Sequence, residues 1–129
     1  MVNTMQYIHT SNAPAPAGHY SQAVVHNGLV FVSGQLSIDP VSRRPLHLGA
    51  GEQLKLALEN LERIVIAAGS SRQKILKCTV FVADISLWPE ANEAYAAFFG
   101  DHKPARSIVP TGSLHHGLLV EVEAIAATD

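Results

Sequence analysis

The chain has 129 residues, 47% of them hydrophobic and 16% charged, with a formal net charge of −2. That is enough for one domain with a real core over residues 1–129, and the absence of any basic tract or stripe argues against a nucleic-acid partner. The single cysteine, Cys78, rules out an internal disulfide, and no apolar run approaches the roughly 18 residues of a membrane span.

The N-terminus lacks a charged segment followed by an apolar one, so no secretory signal is evident and a cytoplasmic location follows by default. Few charges on so small a domain imply that another copy of the chain covers part of its surface.

In chain order, residues 5–9 read as a short strand, and 11–18 as a loop rich in proline, alanine and glycine. Residues 21–26 and 29–33, joined by Asn27-Gly28, read as a β-hairpin. Leu29-Val30-Phe31-Val32 does not alternate, which fits a strand covered on both faces. Ser33-Gly34-Gln35 ends it, and residues 38–51 form a loop.

The clearest helix spans residues 52–68. Leu54, Ala57, Leu58, Leu61, Ile64, Val65 and Ala68 form one apolar stripe, and Gly69 stops it. A strand follows at 75–83, with Leu76, Cys78, Val80 and Val82 on one face and Ile75, Lys77, Thr79 and Phe81 on the other. Cys78 reads as a buried, inert thiol. The second helix starts near Pro89 and ends at Gly100, with a stripe of Trp88, Ala91, Tyr95, Phe98 and Phe99 and with Asn92 on its flank. Strands at 105–109 and 117–126 close the chain.

This order gives an α+β fold, a single mixed β-sheet with two helices packed on one face. The other sheet face is expected to be apolar and uncovered, and cyclic self-association closes it. Near the C-terminus, Arg106 and Glu121 lie on two neighbouring β-rich segments. A guanidinium offers a planar donor fork to a carboxylate, and a glutamate can activate water. Glu121 and Glu123 share a strand face because side chains alternate.

The motifs that carry most information are Gly18-His19-Tyr20-Ser21-Gln22-Ala23, Val32-Ser33-Gly34-Gln35, Glu59-Asn60-Leu61, the run from Lys77 to Asp84, Asn92-Glu93-Ala94-Tyr95, Pro104-Ala105-Arg106-Ser107 and the run from Val120 to Ala126. In this order they resemble the RidA (YjgF-type) family of enamine/imine deaminases from about Ala13 to Ala126. The resemblance implies a chorismate-mutase-like fold and a homotrimer with a sheet-lined central barrel and ligand clefts between subunits. It also implies hydrolysis of small 2-imino carboxylic acids to 2-keto acids and ammonia, without metal or organic cofactor.

By the same resemblance, Arg106 binds the substrate carboxylate and Glu121 positions water, the two meeting around one pocket once three copies close up. Tyr20 covers the ligand, Ser33 and Asn92 lie near it, and Gly34 lets the backbone approach closely. Ile108 stands where many members carry cysteine; the role there is mainly a main-chain carbonyl contact, which isoleucine keeps. His19 replaces a usual proline, and the segment from Pro110 to Gly117, which includes His115-His116, stands where common deaminases carry a valine-rich stretch and a Leu-Pro turn. Adjacent histidines alone are not a metal motif. They read either as a solvated turn or as a cleft border that alters which acid is accepted. Two alternatives stay open: a deaminase of a ring-cleavage intermediate such as 2-aminomuconate, and a non-enzymatic keto-acid-binding trimer. Ribonuclease activity, sometimes attached to the family, finds no support in charge or in a general acid/base histidine pair.

Overall fold

The computed structural model describes residues 4–128. Its tight hairpin joins β2 (Ala23–His26) and β3 (Leu29–Gln35), where Asn27 and Gly28 take φ of 52° and 76°. Positive φ at both central residues is what a right-twisted two-residue hairpin turn requires, and Asn-Gly supplies it at low steric cost. β1 (Gln6–Ile8) pairs antiparallel with β2.

β4 (Ile75–Val82), β5 (Ala105–Pro110) and β6 (Val120–Ala127) complete one six-stranded sheet of order β1-β2-β3-β6-β4-β5. β4 and β5 run parallel and every other pair antiparallel, so the sheet is mixed as expected. The parallel pair is linked by α2 (Trp88–Phe99), the helical crossover such a connection needs.

α1 (Ala50–Ala67) begins two residues earlier than the apolar stripe suggests. Glu90 explains the gain: its carboxylate accepts the Gly51 N–H at 2.8 Å, satisfying a free donor at the positive end of the helix. At the other end Gly69 takes φ 88°, while Ser70 N–H donates to Val65 O (2.8 Å) and Gly69 N–H to Ile66 O (3.0 Å). That is a Schellman stop.

Leu54, Leu58, Leu61 and Ile64 of α1 are fully buried against Val30, Val32, Val80, Val122 and Ala124 of the sheet and Ala91, Tyr95 and Phe99 of α2. Burial of each large aliphatic contributes about 1.5–3 kcal/mol. Both helices therefore sit on one sheet face. Cys78 is in this core, and burial pushes its thiol up to about 11.

Three buried amides tie loops to this core. Gln22 Nε2 donates to Thr10 O (3.0 Å) and Pro14 O (3.0 Å) while its Oε1 accepts Thr10 N–H (2.7 Å). Gln53 bridges Leu48 O and Leu119 N–H, and Asn60 Nδ2 donates to Leu36 O (3.1 Å) and Ile38 O (2.9 Å).

Several expectations need correction. A register shift between Ile75 and Lys77 against β6 turns Ile75 into the core and leaves Leu76 48% exposed, reversing their predicted faces. β3 runs on to Gln35 through a second shift, in which the three-residue step from Val32 to Gln35 faces the two-residue step from Ala124 to Val122. β6 starts at Val120 because His115–Gly117 form a 3₁₀ turn, with His116 at φ 60°. Trp88, placed in the buried stripe by its spacing, is 39% exposed. The uncovered sheet face is also not purely apolar. It carries Phe31, Thr79, Phe81 and Ile125 together with Lys77, Glu121 and Glu123, and Phe31 is 45% exposed, so within one chain β3 is covered on one face only.

Candidate active site

The register decides where the two charged candidates point. Val120 and Val122 of β6 are buried under the helices, so Glu121 between them faces the bare side. Its partner on β4 is Phe81. Arg106 of β5 aligns with buried Cys78 of β4, so it faces the helix side. Within one chain the two groups stand on opposite faces of the sheet. Alternation puts residues aligned with Cys78 and with Phe81 on different sides, so one copy alone does not bring the two around one pocket.

Two half-sites result. On the bare side, Glu121 lies over the bulge of β3, where Gly34 presents its α-carbon. A Cβ there would overlap the carboxylate and stand 3.0 Å from the Glu121 carboxyl carbon and 3.3 Å from its Cγ. Bulges re-aim backbone beside functional groups, and here the bulge and the glycine together make room for the carboxylate. Burial raises the Glu121 carboxyl above the usual carboxylate range, the neighbouring Glu123 charge adds to that, and His115 acts in the opposite direction.

Tyr20, Ser33, Gly34, His115 and Glu121 line one hollow of about 430 Å³. The Tyr20 hydroxyl accepts the Ala17 N–H at 3.1 Å, which holds the ring against the loop that Gln22 anchors. Ser33 Oγ donates to Ser21 O at 2.6 Å, so its proton is committed to the strand end and its lone pairs remain.

On the helix side, Arg106 Nη1 donates to Asn92 Oδ1 at 2.8 Å. Its guanidinium carbon lies 4.8 Å from the centre of the Tyr95 ring and 5.7 Å from that of Trp88. Those contacts orient the guanidinium without neutralising it. Among the described residues Arg106 has no ion-pair partner, and a hollow of about 340 Å³ opens beside it, lined by Asn92, Tyr95 and Lys103. A fixed, unneutralised guanidinium at a hollow is suited to a carboxylate. Ile108 shares the Arg106 face opposite Val80 and packs against the core, outside the lining of this hollow.

Of the predicted residues, the structure thus groups Tyr20, Ser33, Gly34 and Glu121 on one side and Asn92 with Arg106 on the other. The apolar stripe of α2 signals only packing for Tyr95 and Trp88, and no sequence pattern marks Arg43. The amides Gln53 and Asn60 fall in phase with the α1 stripe, a signal that marks buried hydrogen-bonding side chains. The His115 and His116 rings touch at a tilt of 56° with centroids 3.9 Å apart, and His115 does border the Glu121 hollow. Among the described residues no three His, Cys, Asp or Glu side chains converge on a point where a metal would bind. Among the described residues no helix is long and apolar enough to cross a membrane.

Fold and site together define a class: small α+β proteins with a carboxylate on one sheet face and, beneath a crossover helix, an arginine held by an amide and without an ion pair among the described residues. The family model described as Endoribonuclease L-PSP matches residues 10–128, and the chain belongs to this YjgF/RidA family, as its motifs indicated. A RutC family protein of Pyrococcus horikoshii is 40% identical over 121 residues, 94% of this chain and 96% of the relative. The 2-iminobutanoate/2-iminopropanoate deaminase of Rattus norvegicus is 42% identical over 119 residues, covering 92% and 87%. Among solved structures, E. coli TdcF with bound serine superposes with a TM-score of 0.90 at 37% identity, over 96% of this chain and 99% of that one.

Proposed function

We propose that the chain is a cofactor-independent deaminase that hydrolyses small 2-imino and enamine carboxylic acids to 2-keto acids and ammonia. The observation that carries this reading is Arg106, oriented by Asn92 and Tyr95 and left without an anionic partner among the described residues. Similar relatives named as deaminases of 2-imino acids support it.

The active assembly is a cytoplasmic homotrimer. Because the two half-sites face opposite ways, Glu121 of one copy and Arg106 of the next complete a cleft, and ring closure also covers Phe31, Phe81 and Ile125. Arg106 holds the substrate carboxylate through its remaining N–H groups. Glu121 takes a proton from water as its oxygen adds to the imine carbon, and returns that proton to nitrogen. The new hydroxyl then gives its proton to nitrogen, again by way of Glu121, as the C–N bond breaks, releasing ammonia and leaving the ketone. An enamine first takes a proton on carbon and loses one from nitrogen, which gives the same imine. A carboxyl raised by burial is suited to accept and return a proton closer to neutral pH than an exposed one. Tyr20, Ser33 and Gly34 shape the wall, and the Ile108 backbone borders the water.

Freshly generated 2-aminoacrylate tests this, with keto-acid release followed for the wild type and Arg106→Ala. Wild-type release well above the spontaneous rate, largely lost in the variant, is expected. Equal rates for both proteins, or none above the spontaneous rate, overturns it. The mass in solution should be three times the 13.8 kDa of one chain; a monomer refutes the shared cleft.

A further inference from the structure

A second hollow, of about 180 Å³, adjoins the Glu121 hollow and shares Ala17, Tyr20, Gly34, Leu36 and His115 with it. Its remaining lining includes Arg43 and His116, so it holds three basic side chains and no carboxylate. At about 30 Å³ per water, it has room for several heavy atoms beyond the reacting carbon.

Arg43 is not placed there by accident of a loose loop. Asp39 Oδ1 accepts the N–H groups of Val41 and Ser42, each at 2.8 Å, and Arg43 N–H donates to Asp39 O at 2.8 Å. Asp39 N–H donates in turn to Arg44 O at 3.0 Å, closing a turn in which Arg43 takes φ 63°. The turn is tethered from beneath by Asn60, which binds the Ile38 carbonyl next to Asp39. Despite this fixed backbone, the Arg43 side chain has no hydrogen bond or ion pair among the described residues. His47 Nε2 donates to His116 O at 2.8 Å and holds the turn that brings the two histidine rings together.

A permanent cation on a fixed turn, lining a hollow with two imidazoles and no carboxylate, suits an anion. We infer that this hollow receives a second acidic group of the substrate, so that the preferred substrates are imines of acidic amino acids and dicarboxylic enamines. The inference rests on the deaminase reading: with one carboxylate at Arg106 and the imine carbon at Glu121, the far end of the substrate reaches Arg43. Ring-cleavage enamines with two carboxylates fall in the same class.

The test has two arms. In the first, imines are made in situ by amino-acid oxidases from D-alanine and D-aspartate, with semicarbazide trapping whatever is not hydrolysed. The ratio of the 2-iminosuccinate rate to the 2-iminopropanoate rate should fall about tenfold or more in Arg43→Gln, the loss expected for charge-assisted hydrogen bonds. Arg43→Lys should recover part of the ratio. An unchanged ratio in a variant with wild-type melting temperature overturns the subsite. The second arm needs no turnover: calorimetric titration with 2-oxoglutarate and 2-oxobutanoate. Tighter binding of the dicarboxylate, lost in Arg43→Gln, supports the subsite even if neither imine is hydrolysed and the deaminase reading fails. Equal binding of the two keto acids overturns it.

Discussion

Gly34→Ala separates the position of the Glu121 carboxylate from its presence. Gly34 does not use a positive φ, so alanine is tolerated by the backbone, and the cost falls on what its methyl group meets. That methyl would overlap one carboxylate oxygen and press on the carboxyl carbon at 3.0 Å, inside ordinary van der Waals contact. The end of a glutamate side chain can swing aside, so the fold persists while the carboxylate retreats by about 1 Å. Misplacing a reacting group by that much costs on the order of 100-fold in rate, about 2.7 kcal/mol of barrier. We expect kcat for imine hydrolysis to fall by about that factor, with KM nearly constant because Arg106 is untouched and with a melting temperature close to wild type. Steady-state keto-acid release and thermal unfolding measure both. Wild-type kcat in Gly34→Ala, alongside a dead Glu121→Gln, would show that the seat of the carboxylate is irrelevant and refute the reasoning.

Arg106→Lys keeps the charge but loses the donor fork that serves Asn92 and a carboxylate together; kcat/KM should drop about 10- to 100-fold, mostly through KM, and an unchanged KM contradicts it. The raised Glu121 carboxyl means that ionising it costs the folded state. This cost is absent below the unfolded value of 4.5 and grows as pH rises through the higher folded value. Glu121→Gln should therefore melt above wild type at neutral pH and converge with it near pH 4; a gap that widens toward acid would reverse the sign. Wild-type activity should fall as pH drops through the same window. Asn60→Ala strands the Leu36 and Ile38 carbonyls and should cost about 2 kcal/mol in urea unfolding at constant m, whereas a loss under about 0.5 kcal/mol would deny the amide its anchoring role.

Much of the architecture is legible in the residues. The α1 stripe, the Asn27-Gly28 turn and the Pro89 start of α2 each carry a local physical signal, and the structure follows them. What misled is non-local. Alternation says which residues share a face along one strand, so Glu121 and Glu123 were correctly paired; it says nothing of how β5 and β6 each register on β4, and that offset sends Arg106 and Glu121 to opposite sides. The flip of Ile75 and Leu76 has the same origin, since a bulge belongs to the pairing of two strands. Arg43 lay in a segment without periodicity, where only the Asp39 turn reveals that its backbone is fixed.

Cys78 is sealed between the sheet and Tyr95, with its thiol pushed up to about 11. At neutral pH it is protonated and sealed, so alkylating reagents reach it only when β4 parts from α2. A chain with a single sulfhydryl in that place carries its own stopwatch: the pace of iodoacetamide uptake counts openings of the whole core. A ligand that welds copies together should slow that clock without touching the sulfur.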